Sequence, residues 1–289
     1  MRREVKYLIR ERDSEALAQA VRPYVTPDNN ASGEMPTYVV RSIYYDTPAL
    51  RDYTDKASGD WARRKVRVRG YGLLDSGPVF LEVKRKRGDV SWKDRVALDR
   101  GEAARLLSEG RPGGSAPDEV FRFLYRLRAE RRLPVLLIAY DRQPYVGRFD
   151  PSLRITFDCR LRCAAYPEVG SDLSGLYSDT LTPILDGRFV LEVKYDRLFP
   201  SWLVAPLAAL GAQRQALSKY GMGLESEISR SPRRFGRPAL SALPREMRAQ
   251  AVSGSAHDLL RCARRVALRS PAPCRLHPAL DLGCPSLYR

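Results

Sequence analysis

Several short stretches of this chain place lysine or arginine at every second position. Lys65, Arg67 and Arg69 form one set, Lys84 and Lys86 follow Glu82, and Lys93 and Arg95 follow Ser91. Glu4 with Lys6, Tyr140 with Arg142, Arg154 with Thr156, Asp158 and Arg160, and Glu192 with Lys194 repeat the spacing. Side chains of a strand alternate between its two faces. Each stretch therefore turns its charges to one side and apolar residues such as Val66, Val68, Leu81, Val83 and Ile155 to the other. Like charges facing one another across a sheet are destabilising, so such a surface calls for full solvation or for a polyanion. Amphipathic helices flank several of these strands and must bury their apolar faces on something. If they pack on the outside of a barrel, the charged faces line its interior. A basic interior with a few carboxylates suits a chain of phosphates and a divalent ion.

What is absent narrows the chemistry. Both histidines, His257 and His277, lie in the last fifth of the chain, and residues 1–228 contain none. That body cannot run a Ser-His-Asp or Cys-His mechanism and is a poor candidate for zinc. A metal there would be held by carboxylates, which favour hard ions such as Mg²⁺ or Mn²⁺. The five cysteines form no CxxC pair and read as reduced thiols of a cytoplasmic protein. There is no GxxxxGK[ST] loop, and Gly70-Tyr71-Gly72 is not a GxGxxG fingerprint. Aromatic residues interleave only thinly with the basic ones, which argues against single-stranded nucleic acid. Trp61, Trp92 and Trp202 read as packing residues. No apolar run approaches the length of a membrane span, and the N-terminus lacks the apolar core of a signal peptide.

The elements that must position these charges follow from periodicity. Strands are expected over Arg2–Ile9, Tyr38–Tyr45, the basic hairpin of Arg63–Arg95, Val135–Arg142, Tyr145–Asp150, Leu153–Leu161 and Phe189–Tyr195. Helices are expected after Asp13 or Ser14, after Asp99, after Pro117-Asp118 and from Pro200 to about Gln215. Tyr44, Tyr45 and Asp46 read as structural, at the end of a strand. From about Ser229 the composition changes to twelve arginines, no lysine, seven prolines and three acids. This tail supplies about half of the net charge of +16 and is expected to be disordered. The chain thus divides into a body, 1–228, and a basic Arg/Pro-rich tail, 229–289. Nucleic-acid binding is expected only through the tail.

The order EVKYLI, VRSIYYDTP, KVRVRGYG, FLEVKRKRG, SWKDRV, YDRQPY, LRITFD, VLEVKYD and LSKYG resembles the VTC (vacuolar transporter chaperone) domain of polyphosphate polymerases, within the CYTH or triphosphate tunnel metalloenzyme superfamily. The resemblance spans about residues 2–225. It implies an α+β fold, an antiparallel β-barrel tunnel with helices packed on its outside. It also implies an enzyme that transfers the γ-phosphoryl group of ATP to a growing inorganic polyphosphate chain, with Mn²⁺ or Mg²⁺ as cofactor. By the same resemblance the phosphate-binding residues are Lys6, Arg67, Arg69, Lys84, Lys93, Arg142, Arg154 and Lys219, and the metal-binding residue is Glu192. Arg67, Arg69, Lys219 and Glu192 are the residues expected to carry catalysis. Glu4 and Glu82 fill the acidic positions of an E-x-K pattern. Triphosphatases of the superfamily often carry E-x-E-x-K on the first strand. Here that strand reads Arg2-Arg3-Glu4-Val5-Lys6, which favours the polymerase branch. A cytoplasmic location is expected, with any membrane attachment supplied by a separately encoded partner. The rival readings are a tunnel triphosphatase and a non-catalytic module binding polyphosphate or inositol phosphates.

Overall fold

The computed structural model describes residues 3–28, 37–72, 77–88, 90–112, 114–231 and Phe235. Beyond the end of the final helix the expected tail lies outside the described residues, Ser231 and Phe235 excepted. In chain order the elements are β1 (Arg3–Arg10), α1 (Ser14–Val21), β2 (Val25–Pro27), β3 (Tyr38–Asp46), α2 (Arg51–Ala57), β4 (Ala62–Tyr71), β5 (Val79–Arg87), β6 (Val90–Leu98), α3 (Arg100–Glu109), α4 (Asp118–Ala129), β7 (Leu133–Gly147), β8 (Arg154–Ala165), β9 (Thr182–Pro183), β10 (Arg188–Tyr195), α5 (Val204–Ala209) and α6 (Lys219–Arg230). The strands form one antiparallel sheet in the order β1-β10-β8-β7-β3-β4-β5-β6, with β2 beside β7 and β9 beside β8. The sheet is curled into a half-barrel. Side chains from its far edges meet across the hollow, where Lys84 on β5 lies 3.8 Å from Glu4 on β1.

Alternation delivers the expected sidedness. The convex face is largely apolar and carries helices. Val66, Val68, Leu81 and Val83 pack under Leu106 of α3 and under Val120, Phe123 and Leu124 of α4. Val5, Ile9, Ile155, Phe157 and Val193 pack under Leu17 and Val21 of α1 and Leu207 of α5. Each buried aliphatic or aromatic side chain contributes roughly 1.5–3 kcal/mol, so these two layers hold the curl. Asp99 caps α3, its carboxylate accepting from the backbone N–H groups of Gly101 and Glu102.

Three features depart from the sequence-based expectation. Val135–Arg142 and Tyr145–Asp150 are one strand, β7, of fifteen residues. Pro144 interrupts nothing because that flank of β7 changes neighbour there, from β3 (up to Arg142) to β2 (from Tyr145). The helix expected from Pro200 to Gln215 is only α5 with a short turn before it, closed by Gly211 at φ +59°. Third, α6 and Tyr53 of α2 lie on the concave side. Tyr220 stacks on Tyr44, and Leu224 and Ile228 pack with Leu136 and Ile138. Gly223 permits this approach, since a Cβ there would lie 2.5 Å from Ile138 Cδ1. The helix therefore occupies the end of the hollow nearest Asp46, and the end nearest Tyr38 is free of it.

Candidate polyanion site on the concave face

β1 and β10 pair with Glu4 opposite Lys194 and Lys6 opposite Glu192, so four charged side chains form a block. Next to it β8 brings Asp158 and β7 brings Arg142, paired in register. Ser218 caps α6 by accepting from the N–H of Gly221, which sets Lys219 at the first helical position and aims it at this block. Lys219 Nζ lies 2.6 Å from Glu192 Oε1 and 2.5 Å from Asp158 Oδ2. Lys6, Arg142 and Lys194 approach Glu192 at 3.2, 3.5 and 3.6 Å. Arg142 also grips Asp158 with two parallel hydrogen bonds, 2.7 and 2.8 Å long, donated by Nε and Nη2.

On the opposite wall, Glu82 of β5 is the centre. Arg67 Nε donates to its Oε2 at 2.6 Å, Lys93 Nζ lies 2.6 Å from Oε1, and Arg95 approaches at 3.4 Å. Arg67 Nη1 donates to the Tyr44 hydroxyl at 3.0 Å. One inward position along β4, Arg69 Nε donates to Ser42 Oγ, and in the other direction Lys65 Nζ donates to Ser218 Oγ.

These contacts set the protonation states. Burial opposes ionisation of Glu192 and Asp158, but Lys219, Lys6, Lys194 and Arg142 outweigh it, and both carboxyls lie below the usual range. Burial likewise opposes ionisation of Glu82, yet Arg67, Arg69 and Lys93 hold it at about 2. Glu4 is also held at about 2, its burial offset by Lys6, Lys194 and Lys84. Lys219 is raised, because Asp158 and Glu192 overcome its burial. Lys65 is pushed down to about 7 by burial, with Lys6, Arg67 and Lys84 adding to the shift and Tyr44 opposing it. For Tyr44, burial would raise the phenol, but Arg67, Lys65 and Arg69 bring it to about 7.

Of the residues expected from sequence, Lys6, Arg142, Lys219 and Glu192 converge on one block, and Arg67 and Lys93 converge on Glu82. Lys84 reaches Glu4 across the hollow, and Arg69 stands one position further along β4. Arg154 is half-exposed at the Tyr38 end, lies opposite Lys194 in the β8–β10 register and pairs with Asp28. Asp158, Lys65, Tyr44 and Tyr140 belong to the site but carried no site role in the sequence reading. Lys219 and Arg142 both sit over the Tyr140 ring, at 4.8 and 5.2 Å. Arg160 was expected beside Asp158 and instead points to the convex face, where it and Arg162 pair with Asp141. A residue at φ +47° reverses the alternation there.

No group of three or more His, Cys, Asp or Glu side chains converges among the described residues, so they form no all-protein cage. Glu4 and Glu192 do converge on a single cation, Lys6 Nζ, at 3.0 and 3.2 Å. One or two carboxylates with hard oxygens fit a Mg²⁺ or Mn²⁺ ion that brings phosphate ligands with it.

The class of fold is a curled antiparallel half-barrel whose concave face gathers cations from six strands, β1, β4, β5, β6, β7 and β10, and from α6. The VTC domain family model matches residues 1–228, and the chain belongs to that family. The comparison with curated proteins returned no match. Among solved structures, similar chains include the PH1819 protein from Pyrococcus horikoshii OT3, at 16% identity and TM-score 0.38 over 77% of this chain and 99% of that one. A candidate adenylate cyclase from Bacillus halodurans matches at 11% identity and TM-score 0.44, over 74% of this chain and 92% of that one. A chain of the Schizosaccharomyces pombe Mediator head module matches at 11% identity and TM-score 0.33, over 73% and 92%. All three scores lie below 0.5, and the family rests on the domain match. Among the described residues no helix is long and apolar enough to cross a membrane.

Proposed function

We propose that this chain is an ATP-dependent polyphosphate polymerase. The observation that carries the reading is the row of inward cations along β4, β5 and β6, facing the Lys6, Arg142, Lys194 and Lys219 block across one hollow. Inward residues on one strand recur about every 7 Å, so the charges form an extended track suited to a linear anion. In this reading the triphosphate of ATP lies along the track. Arg67 and Arg142 make forked contacts with individual phosphates, and Arg69 extends the same wall. Lys6, Lys84, Lys93 and Lys219 act as point charges, and Arg154 meets the chain only at the opening. Glu192, with Glu4 beside it, would hold Mg²⁺ or Mn²⁺, which supplies charge neutralisation on the phosphate oxygens.

A terminal oxygen of the growing chain attacks the γ-phosphorus. A new P–O–P bond forms, the bond between the γ-phosphorus and its bridging oxygen breaks, and ADP leaves with that electron pair. The attacking phosphate is already ionised, so no general base is required, in keeping with a body that lacks histidine. The protein's contribution is positioning and stabilisation of charge on the transferring group.

The test incubates the purified chain with ATP and Mn²⁺ and follows ADP alongside acid-labile polymer on a gel. The expected result is ADP plus long polymer, lost in Arg67→Ala and Glu192→Ala. Free phosphate without polymer would replace the reading with a tunnel triphosphatase. Binding of polyphosphate without turnover would replace it with a binding module. A separately encoded membrane partner that receives the product belongs to the same proposal, tested by co-purification from the native membrane fraction.

A further inference from the structure

Resting on the reading that a nucleoside triphosphate enters this hollow, we infer that Tyr38, Tyr71, Phe80 and Arg95 form a stacking platform for its nucleobase at the end free of α6. Tyr38 and Tyr71 meet edge to face with centroids 5.7 Å apart, and Tyr71 and Phe80 do so at 5.5 Å. The Arg95 guanidinium lies over the Phe80 ring at 3.8 Å and donates from Nη2 to the Tyr71 hydroxyl at 3.2 Å. None of the four is fully buried. Bases stack on aromatic faces and on arginine planes alike. The platform also has the right neighbours. Phe80 is one inward position from Glu82, the partner of Arg67 and Lys93, and Tyr38 is opposite Arg142 in the β3–β7 register. A base on Phe80 and Arg95 therefore puts its phosphates on the cationic track, with the γ-phosphate directed inward toward Lys219 and Glu192. Trp61 and Trp92 lie instead at the far end of the β4–β5–β6 hairpins, and Trp202 stacks on Tyr24, so none of the three tryptophans competes for this role.

The experiment compares ATP with inorganic tripolyphosphate by calorimetric titration in Mg²⁺, on the full chain and on Phe80→Leu, Arg95→Lys and Phe80→Trp, with thermal melts as the folding control. Phe80→Leu and Arg95→Lys are expected to weaken ATP by about five- to a hundredfold, the range of one stacked base, and Phe80→Leu to leave tripolyphosphate within about twofold. Phe80→Trp, which keeps a ring, is expected to retain ATP. Equal losses for both ligands in Phe80→Leu, or ATP affinity unchanged in Phe80→Leu and Arg95→Lys, would overturn the platform. Tripolyphosphate bound by the wild type without ATP would do the same while leaving a phosphate track in place. Failure of the wild type to bind either ligand would overturn the underlying functional reading as well.

Discussion

Replacing Glu192 by glutamine preserves the shape of the side chain and removes its charge. In the wild type that carboxylate is 5% exposed and faces Lys219, Lys6, Arg142 and Lys194 within 2.6 to 3.6 Å. Removing one partner of a buried ion pair costs about 3–5 kcal/mol, because the remaining charge stays buried. Asp158 and Glu4 still face three of those four cations, so the low end, about 3 kcal/mol, applies. Each kcal/mol shifts the Tm of a folded unit of this size by about 2–4 °C. Glu192→Gln should therefore melt about 6–12 °C lower in phosphate-free buffer at neutral pH, read by differential scanning fluorimetry. Tripolyphosphate then acts as the missing negative charge. A ligand at a hundredfold its Kd adds about 2.7 kcal/mol, enough to recover most of the loss, and the variant should gain at least as many degrees as the wild type. A ligand-free melt within about 2 °C of the wild type, or a variant that tripolyphosphate leaves unmoved, would refute the idea that this block is a balanced set of charges awaiting phosphate.

Other expectations are as specific. Glu4 and Glu82 titrate at about 2 in the folded protein, below their ordinary values, so their stabilisation is complete above about pH 4.5 and is lost as pH falls toward 2; Glu82→Gln should flatten that acid limb in urea titrations, and an unchanged limb would remove Glu82 from the account. Tyr44 and Lys65 both titrate near 7, so difference absorbance near 295 nm should show one tyrosine ionising close to neutrality, absent in Tyr44→Phe; a first tyrosinate only above about pH 9 would contradict the assignment. Arg142→Lys loses the fork on Asp158 and should cost about 1.5–3 kcal/mol in chemical denaturation, an effect that lysine's retained charge would cancel if geometry were unimportant. Ser218→Ala removes the cap of α6 and the acceptor of Lys65, and should cost about 1 kcal/mol, with a loss near zero arguing that α6 is held by packing alone.

The sidedness of β1, β4, β5, β6 and β10 was readable because a period of two survives any curvature of the sheet. The same rule failed at Arg160, where one left-handed residue flips the parity, and nothing in Asp158-Cys159-Arg160 announces it. The concave position of α6 was not readable either. Its segment carries two glycines within five residues, a weak helical signal, and the helix is held by long-range contacts of Tyr220, Leu224 and Ile228 with β3 and β7. Lys219 was therefore identified by motif, while its actual partners, Asp158 and Glu192, depend on a helix that periodicity did not indicate. Tyr44 was read as a strand end for a related reason. Its neighbours Arg67 and Tyr220 lie 23 and 176 positions away, and only the register between β3 and β4 brings the first of them to it.

Glu4, Glu82, Asp158 and Glu192 have a consequence for how a polymer would move through the hollow under the proposed function. In that reading a phosphate that settles on Arg67, Lys93, Arg142 or Lys219 competes with Glu82, Asp158 or Glu192 for contacts of 2.5 to 2.8 Å. The wall thus behaves as an ion exchanger loaded with its own tethered counter-ions. Binding is an exchange of one anion for another, so it releases far less energy than the count of bases suggests, and leaving is eased because the carboxylates return as the phosphates depart. A surface with the same lysines and arginines but no acids would hold its first oligophosphate and stall. One with internal acids can let a long chain advance by a residue at a time without ever standing empty.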